Sequence, residues 1–214
     1  MRRPRDVARL ACKSNACYGA AAMSSVVLVL DLQRDFLDED GRMPIARAQV
    51  PGLIAVTNAV TSAAAGHGVK VVYIGNEFPR SQWMANFFRR GAAIAGSPGG
   101  EIDPRVVRRS STYVSKAEGN AFSNPALGAF LRAAGADEVI VLGVFAGACV
   151  AATTRGAMRA GHRVTLVRDA IGAASDWARD RALAKLERAG AQVTSGDEVV
   201  ARCSRPLRSA PLRS

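Results

Sequence analysis

Five short apolar runs, each followed by a stretch long enough to carry the chain back across a sheet, limit this sequence to very few folds. They are VVLVLD (26–31), VKVVYIG (69–75), TYVSK (112–116), DEVIVLG (137–143) and RVTLVRD (163–169), and a sixth strand is expected near 192–194. Nearly continuous β-branched runs of this length read as strands covered on both faces. Between them the patterning predicts helices over 51–65 and 125–134, a helix opened by Cys149, a helix over 176–189, and one short helix around 83–90. Strands alternating with helices imply right-handed crossovers. The expected architecture is therefore a three-layer α/β/α sandwich around a doubly wound, mostly parallel six-stranded sheet, with no internal repeat and no second domain.

Charge narrows the class of partner. The chain has 214 residues, is 49% hydrophobic and carries a formal net charge of +11. That charge is concentrated at the ends. Residues 1–22 hold five Lys/Arg against one Asp, residues 202–214 hold four Arg and no acid, and the body between them keeps only +3. Basic tails bind polyanions without specificity, so no specific nucleic-acid partner is expected. No apolar run is long enough for a membrane span, and the N-terminal stretch lacks a secretory h-region. Residues 1–22 are expected to be a disordered basic extension or a miscalled start ahead of Met23, residues 23–201 the folded domain, and residues 202–214 a disordered basic tail. Cys12, Cys17 and Cys203 fall in those ends, which leaves Cys149 as the one thiol of the body. A disulfide framework is not expected, a reducing cytoplasm is the expected location, and Cys12 and Cys17 without a second pair make no zinc site.

Sheets of this kind bind ligands beyond the carboxyl ends of their strands. Three strands here deliver a reactive side chain to that edge: Asp31 closes the first, Lys116 the third, and Cys149 lies just past the fourth. Each has a plain alternative, as a turn cap, a surface lysine and a small packed thiol respectively. Their convergence on one edge favours a site. A cysteine at the start of a helix faces unpaired N–H groups and the positive end of the macrodipole, so an acidic thiol is expected there. The two histidines, His67 and His162, both lie where a helix turns toward the next strand, at the opposite edge. The base for Cys149 must therefore be something other than imidazole, and Asp31 is the best candidate.

The blocks VLDLQRDF, SKAEGNAF and GVFAGACVAATT, in that order, resemble the signatures of the isochorismatase-like cysteine hydrolases. The resemblance spans about residues 25–200. It implies an Asp–Lys–Cys triad that opens small amides and ureido compounds through an acyl-enzyme, with Asp31 as general acid/base, Lys116 as electrostatic partner and Cys149 as nucleophile. It further implies an oxyanion hole from the backbone N–H groups of Phe145 and Cys149, reached through a cis peptide at Val144–Phe145. Relatives are commonly dimers or tetramers, so a homo-oligomer is implied as well.

Departures from the family pattern narrow the activity. Nicotinamidases of the family carry an Asp/His metal cluster after the second strand; here the stretch is IGNEFPRSQW, without histidine. No metal and no cofactor are expected, and metal-independent cleavage of a small amide or ureido substrate is favoured. Isochorismatase or nicotinamidase activity, a thiol redox role and a catalytically idle binding protein of the same fold remain as alternatives. For substrate binding, Asn76 and Glu77 follow the second strand directly; the alternatives are that Asn76 caps a turn and Glu77 pairs with Arg80, Arg89 or Arg90. Phe36, Phe122 and Phe145 are candidate pocket walls or core residues. Trp83, Phe87 and Phe88 form a stripe that is packed or subunit-facing, and Asp169 reads as a structural hydrogen-bonder.

Overall fold

The structure is a computed structural model that describes residues 24–204. The expectations for residues 1–22 and for 205–214 lie outside the described residues. Six strands form one sheet: β1 (Ser25–Leu30), β2 (Lys70–Asn76), β3 (Tyr113–Lys116), β4 (Glu138–Val144), β5 (Arg163–Gly172) and β6 (Gln192–Thr194). Their order is β3-β2-β1-β4-β5-β6, and every neighbouring pair is parallel. The sheet is thus parallel throughout rather than mostly so. Among the described residues seven α-helices accompany it: α1 (Arg34–Leu37), α2 (Val50–Gly66), α3 (Trp83–Phe88), α4 (Pro125–Ala133), α5 (Ala151–Arg159), α6 (Asp176–Arg188) and α7 (Gly196–Cys203). No helix among the described residues is long and apolar enough to cross a membrane.

The strand period of two divides the core into layers. Val27, Val29, Val71, Tyr73, Ile140 and Leu142 face one side, where Leu53 and Val60 of α2 and Val199 of α7 cover them. Val26, Leu28, Leu30, Val72, Val139 and Val141 face the other, under Leu127 of α4, Ala157 of α5 and Leu183 and Leu186 of α6. Burying each large side chain is worth about 1.5–3 kcal/mol before conformational entropy is counted. This explains why the strands read as unbroken apolar runs.

The chain builds outward from β1 through β2 to β3, then returns to β4 on the other side of β1 and builds outward again. The carboxyl ends of β1 and β4 therefore flank the switch point where such folds place ligands. Gly143 is fixed by this geometry: its φ is +119°, and a Cβ there would overlap the Leu30 carbonyl oxygen.

Two expectations need correction. The folded part continues past residue 201, because α7 runs to Cys203, whose side chain packs partly buried against the core. Ser195 and Glu198 form a capping box at its start, a signal present in the sequence as S-x-x-E before an apolar pair. Cys203 thus belongs to the body, not to a tail. Asp169 has the structural role expected of it, since its Oδ1 accepts a 2.8 Å hydrogen bond from the Gly196 N–H at the head of α7.

Candidate functional site

Four strand ends bring four polar side chains together. Asp31 follows β1 with φ +54°, in the left-handed region that aspartate tolerates better than most residues. Asn76 and Lys116 are the last residues of β2 and β3 and pair across the sheet. Cys149 sits in the π-helical turn Ala146–Val150, between β4 and α5. The thiol is therefore carried by a wide turn ahead of α5 rather than by the first turn of a regular α-helix.

Lys116 Nζ is the hub. It donates to Asp31 Oδ2 at 2.9 Å and to Asn76 Oδ1 at 2.6 Å, and lies 3.4 Å from Cys149 Sγ. Asn76 Nδ2 stands 3.8 Å from the same sulfur. Asp31, Asn76 and Lys116 are buried, whereas Cys149 is half-buried and borders the exposed Gly147 and Ala148. A buried charge pair of this kind persists only when both groups keep good partners. Asp31 Oδ1, however, is buried without a hydrogen bond of acceptable geometry. The carboxylate has accepting capacity to spare beside the thiol.

Burial pushes the Asp31 carboxyl above its ordinary value, against the opposing pull of the Lys116 charge and of the neighbouring polar groups of Cys149, Lys116 and Asn76. Burial also pushes the Cys149 thiol up to about 12, and the Asp31 charge adds to this while Lys116 opposes it. The expectation of an acidic resting thiol is overturned: the loss of water and the facing carboxylate outweigh the turn's N–H groups. The resting thiol is neutral.

One supporting residue was present in the sequence without a role. Gln33 is fully buried; its Oε1 accepts from the Asn76 N–H at 2.9 Å, and its Nε2 donates to the carbonyls of Asn76 at 2.8 Å and Gly100 at 2.6 Å. It ties the segment after β1 to the end of β2. An amide two residues after the Asp31 carboxylate, just past an apolar strand, was the available signal.

The peptide joining Val144 and Phe145 is cis, as the resemblance implies. The Ala148 and Val150 N–H groups both donate to the Phe145 carbonyl, at 3.0 and 3.2 Å, which closes the turn around Cys149. Phe36 is buried with its ring edge-to-face on Phe145 at 5.5 Å. Phe122 is not brought to the cluster. Its ring lies beside Gly156 of α5 and 6.2 Å from His162, so it packs as a core residue toward the opposite edge. Glu77 pairs with none of Arg80, Arg89 and Arg90; its Oε1 accepts from the Tyr113 hydroxyl at 2.9 Å, and it lines a cleft of about 520 Å³ with Arg108 and Glu101. Asn76 is no turn cap but a full member of the Lys116 network.

A doubly wound parallel sheet with Asp, Lys, Asn and Cys gathered at its switch point defines the class of protein. The chain belongs to the isochorismatase domain family, whose model matches residues 25–198. Two streptothricin hydrolases from Streptomyces noursei are among its relatives. One is 33% identical over 180 residues, covering 81% of this chain and 60% of that protein, and the other 32% identical over 188 residues, covering 84% and 69%. The chain thus spans 60% of the length of the first. Among solved structures, the pyrazinamidase of Pyrococcus horikoshii in complex with zinc superimposes with a TM-score of 0.71 at 25% identity, over 80% of this chain and 99% of that one. The residues here do not fit a zinc site of that kind. Among the described residues no three His, Cys, Asp or Glu side chains converge, and Asn76 and Glu77 are engaged by Lys116 and Tyr113.

Proposed function

We propose that this protein is a metal-independent cysteine hydrolase that cleaves the C–N bond of a small amide or ureido substrate through an acyl-enzyme on Cys149. The observation that carries the reading is the shared cluster: Lys116 Nζ within 2.9 Å of Asp31 and 3.4 Å of Cys149 Sγ, with a spare acceptor on the carboxylate. The relatives, two of which are streptothricin hydrolases and one a pyrazinamidase, support hydrolysis as the reaction class.

The thiol is activated on demand, not stored as a thiolate. Asp31 takes the thiol proton as Sγ bonds to the substrate carbonyl carbon. Lys116 holds Asp31 ionised beforehand and stabilises the sulfur as its charge develops. The N–H groups of Phe145 and Cys149 receive the oxyanion. Collapse of the adduct breaks the C–N bond, and Asp31 returns the proton to the leaving nitrogen, leaving a thioester. Water then gives a proton to Asp31 and adds to the thioester; the C–S bond breaks, the sulfur regains its proton and the acid leaves. Phe36 walls the acyl pocket through its contact with Phe145.

The test is ammonia or amine release from a panel of small amides and ureido compounds. Wild type turns over at least one member, and Cys149→Ala and Asp31→Asn each lose about 10⁴-fold or more. Turnover that survives Cys149→Ala refutes the covalent route. Wild type silent on the whole panel, with a thiol inert to alkylation at every pH, is the behaviour of an idle binding protein and overturns the proposal.

A further inference from the structure

The amide of Asn76 is oriented by chemistry alone. Lys116 Nζ carries three N–H donors and no acceptor, so the Asn76 atom 2.6 Å from it is the carbonyl oxygen. The other end of the amide is then the NH₂ group, and it stands 3.8 Å from Cys149 Sγ. Lys116 gives two of its donors to Asp31 and Asn76 and directs the remaining one at the same sulfur from 3.4 Å. Donors from the ends of two strands, β2 and β3, thus converge on one sulfur atom.

A neutral thiol gains little from such an arrangement, because its sulfur is a weak acceptor, whereas a thiolate is an anion that both donors stabilise. The donors are also held in place before any charge appears. Asn76 is buried; its backbone N–H donates to Gln33 Oε1 at 2.9 Å, its carbonyl accepts from Gln33 Nε2 at 2.8 Å, and Lys116 fixes its side chain. Groups aimed in advance at the place where charge develops lower a barrier without reorganising. The charged groups facing the sulfur are Asp31 from the end of β1, which disfavours a thiolate, and Lys116, which favours it; the Asn76 amide sides with Lys116.

We propose that Asn76 is a further catalytic residue of this site, and that its Nδ2 and Lys116 Nζ form a cradle for the sulfur anion. The proposal rests on the reading of Cys149 as the nucleophile. The cradle acts twice in that reaction. When Asp31 takes the thiol proton, the charge left on Sγ lies under the two donors as the S–C bond forms. When the thioester breaks down, the electron pair of the C–S bond returns to Sγ, which stays a thiolate under the same donors until Asp31 gives back the proton. An amide suits this position because it offers Lys116 an acceptor and the sulfur a donor at once, without adding charge; a carboxylate offers only the acceptor.

The experiment measures the rate of Cys149 carbamidomethylation by iodoacetamide at about pH 9, read by peptide mass spectrometry, in the full chain and in Asn76→Leu, Lys116→Met and the double variant. Well below the thiol's midpoint this rate follows the thiolate fraction, so it reports stabilisation of the sulfur anion without any substrate. Asn76→Leu should react about tenfold more slowly or less, as expected for loss of one hydrogen bond to a charged acceptor. The double variant should be slower than Lys116→Met by a similar factor. An Asn76→Leu rate equal to that of wild type overturns the proposal. So does a double variant no slower than Lys116→Met, since the amide then acts only by holding Lys116. Where the leucine variant loses the wild-type melting curve, Asn76→Asp carries the test: it keeps the acceptor for Lys116, and a rate at or above wild type overturns the proposal. Ammonia release from the amide and ureido panel is measured in parallel, and kcat of Asn76→Leu should fall about tenfold or more with little change in KM. A silent wild type with the alkylation differences intact overturns the hydrolase reading and keeps the cradle. Turnover with kcat unchanged in Asn76→Leu overturns the cradle and keeps the hydrolase reading.

Discussion

Removing the Lys116 ammonium leaves Asp31 buried without its counter-charge, and the consequence for stability depends on pH in a definite direction. The pair is 2.9 Å apart and both side chains are buried. At an effective dielectric constant of about 20, charges at that distance attract by roughly 6 kcal/mol. The variant Lys116→Met recovers the ammonium's desolvation cost, so the net loss for breaking the buried pair is about 3–5 kcal/mol. Protonation of Asp31 relieves that loss. Burial already raises its carboxyl above 3.8, and Lys116 is the largest influence pulling it down, so the variant's folded-state value rises further. A carboxyl whose folded value exceeds its unfolded value makes stability fall as pH rises from the unfolded value through the folded one, and no further above it. Between those limits the variant loses up to about 1.4 kcal/mol per pH unit. Urea denaturation followed by circular dichroism, at about pH 5 and about pH 8, measures the difference. Lys116→Met should lie close to wild type at the lower pH and about 3–5 kcal/mol below it at the higher. A gap of equal size at both values refutes the claim that Lys116 acts by holding a buried carboxylate ionised.

Two further outcomes follow from the same geometry. Because burial and the Asp31 charge push the Cys149 thiol up to about 12, carbamidomethylation of Cys149 should keep accelerating above about pH 9 rather than level off near the free-thiol value. Asp31→Asn, which removes a raising charge, should shift that profile to lower pH while abolishing turnover; a shift upward contradicts the account. Gly143→Ala should destabilise the fold by more than about 3 kcal/mol in a urea titration, since the added Cβ meets the Leu30 carbonyl oxygen in a left-handed backbone. A near-neutral Gly143→Ala refutes the reading of Gly143 as the residue that lets β4 pass the end of β1.

The sheet was legible because its strands are covered on both faces and so read as unbroken apolar runs; β1, β2 and β4 depart from expectation by about a residue at each end. Asp31, Lys116 and Cys149 could be assigned to one edge because a strand-to-helix topology fixes which end each residue occupies. What composition and spacing do not carry is the way side chains choose partners across that edge. Asn76 and Glu77 are neighbours in sequence, yet strand alternation sends the first to Lys116 and the second to Tyr113. Phe122 shares a motif block with Lys116 but packs along α5. The thiol's resting state was misjudged for the same reason: the helix-terminus rule considers local N–H groups, while burial and a carboxylate from a distant strand decide the outcome. The helix α7 was missed although Ser195 and Glu198 announce it, because the arginines beyond it gave the whole segment the composition of a tail.

The central claim is a covalent intermediate on Cys149. Acid-quenched mass spectrometry of the enzyme mixed with an amide or ureido substrate that it turns over tests this most directly. The account predicts that the mass of the acyl fragment appears on the peptide containing Cys149 within the first turnover and decays as product forms, and that Cys149→Ser neither accumulates it nor turns over at the wild-type rate. Product formation at an undiminished rate in Cys149→Ser, with no adduct in the wild type at any quench time, contradicts it.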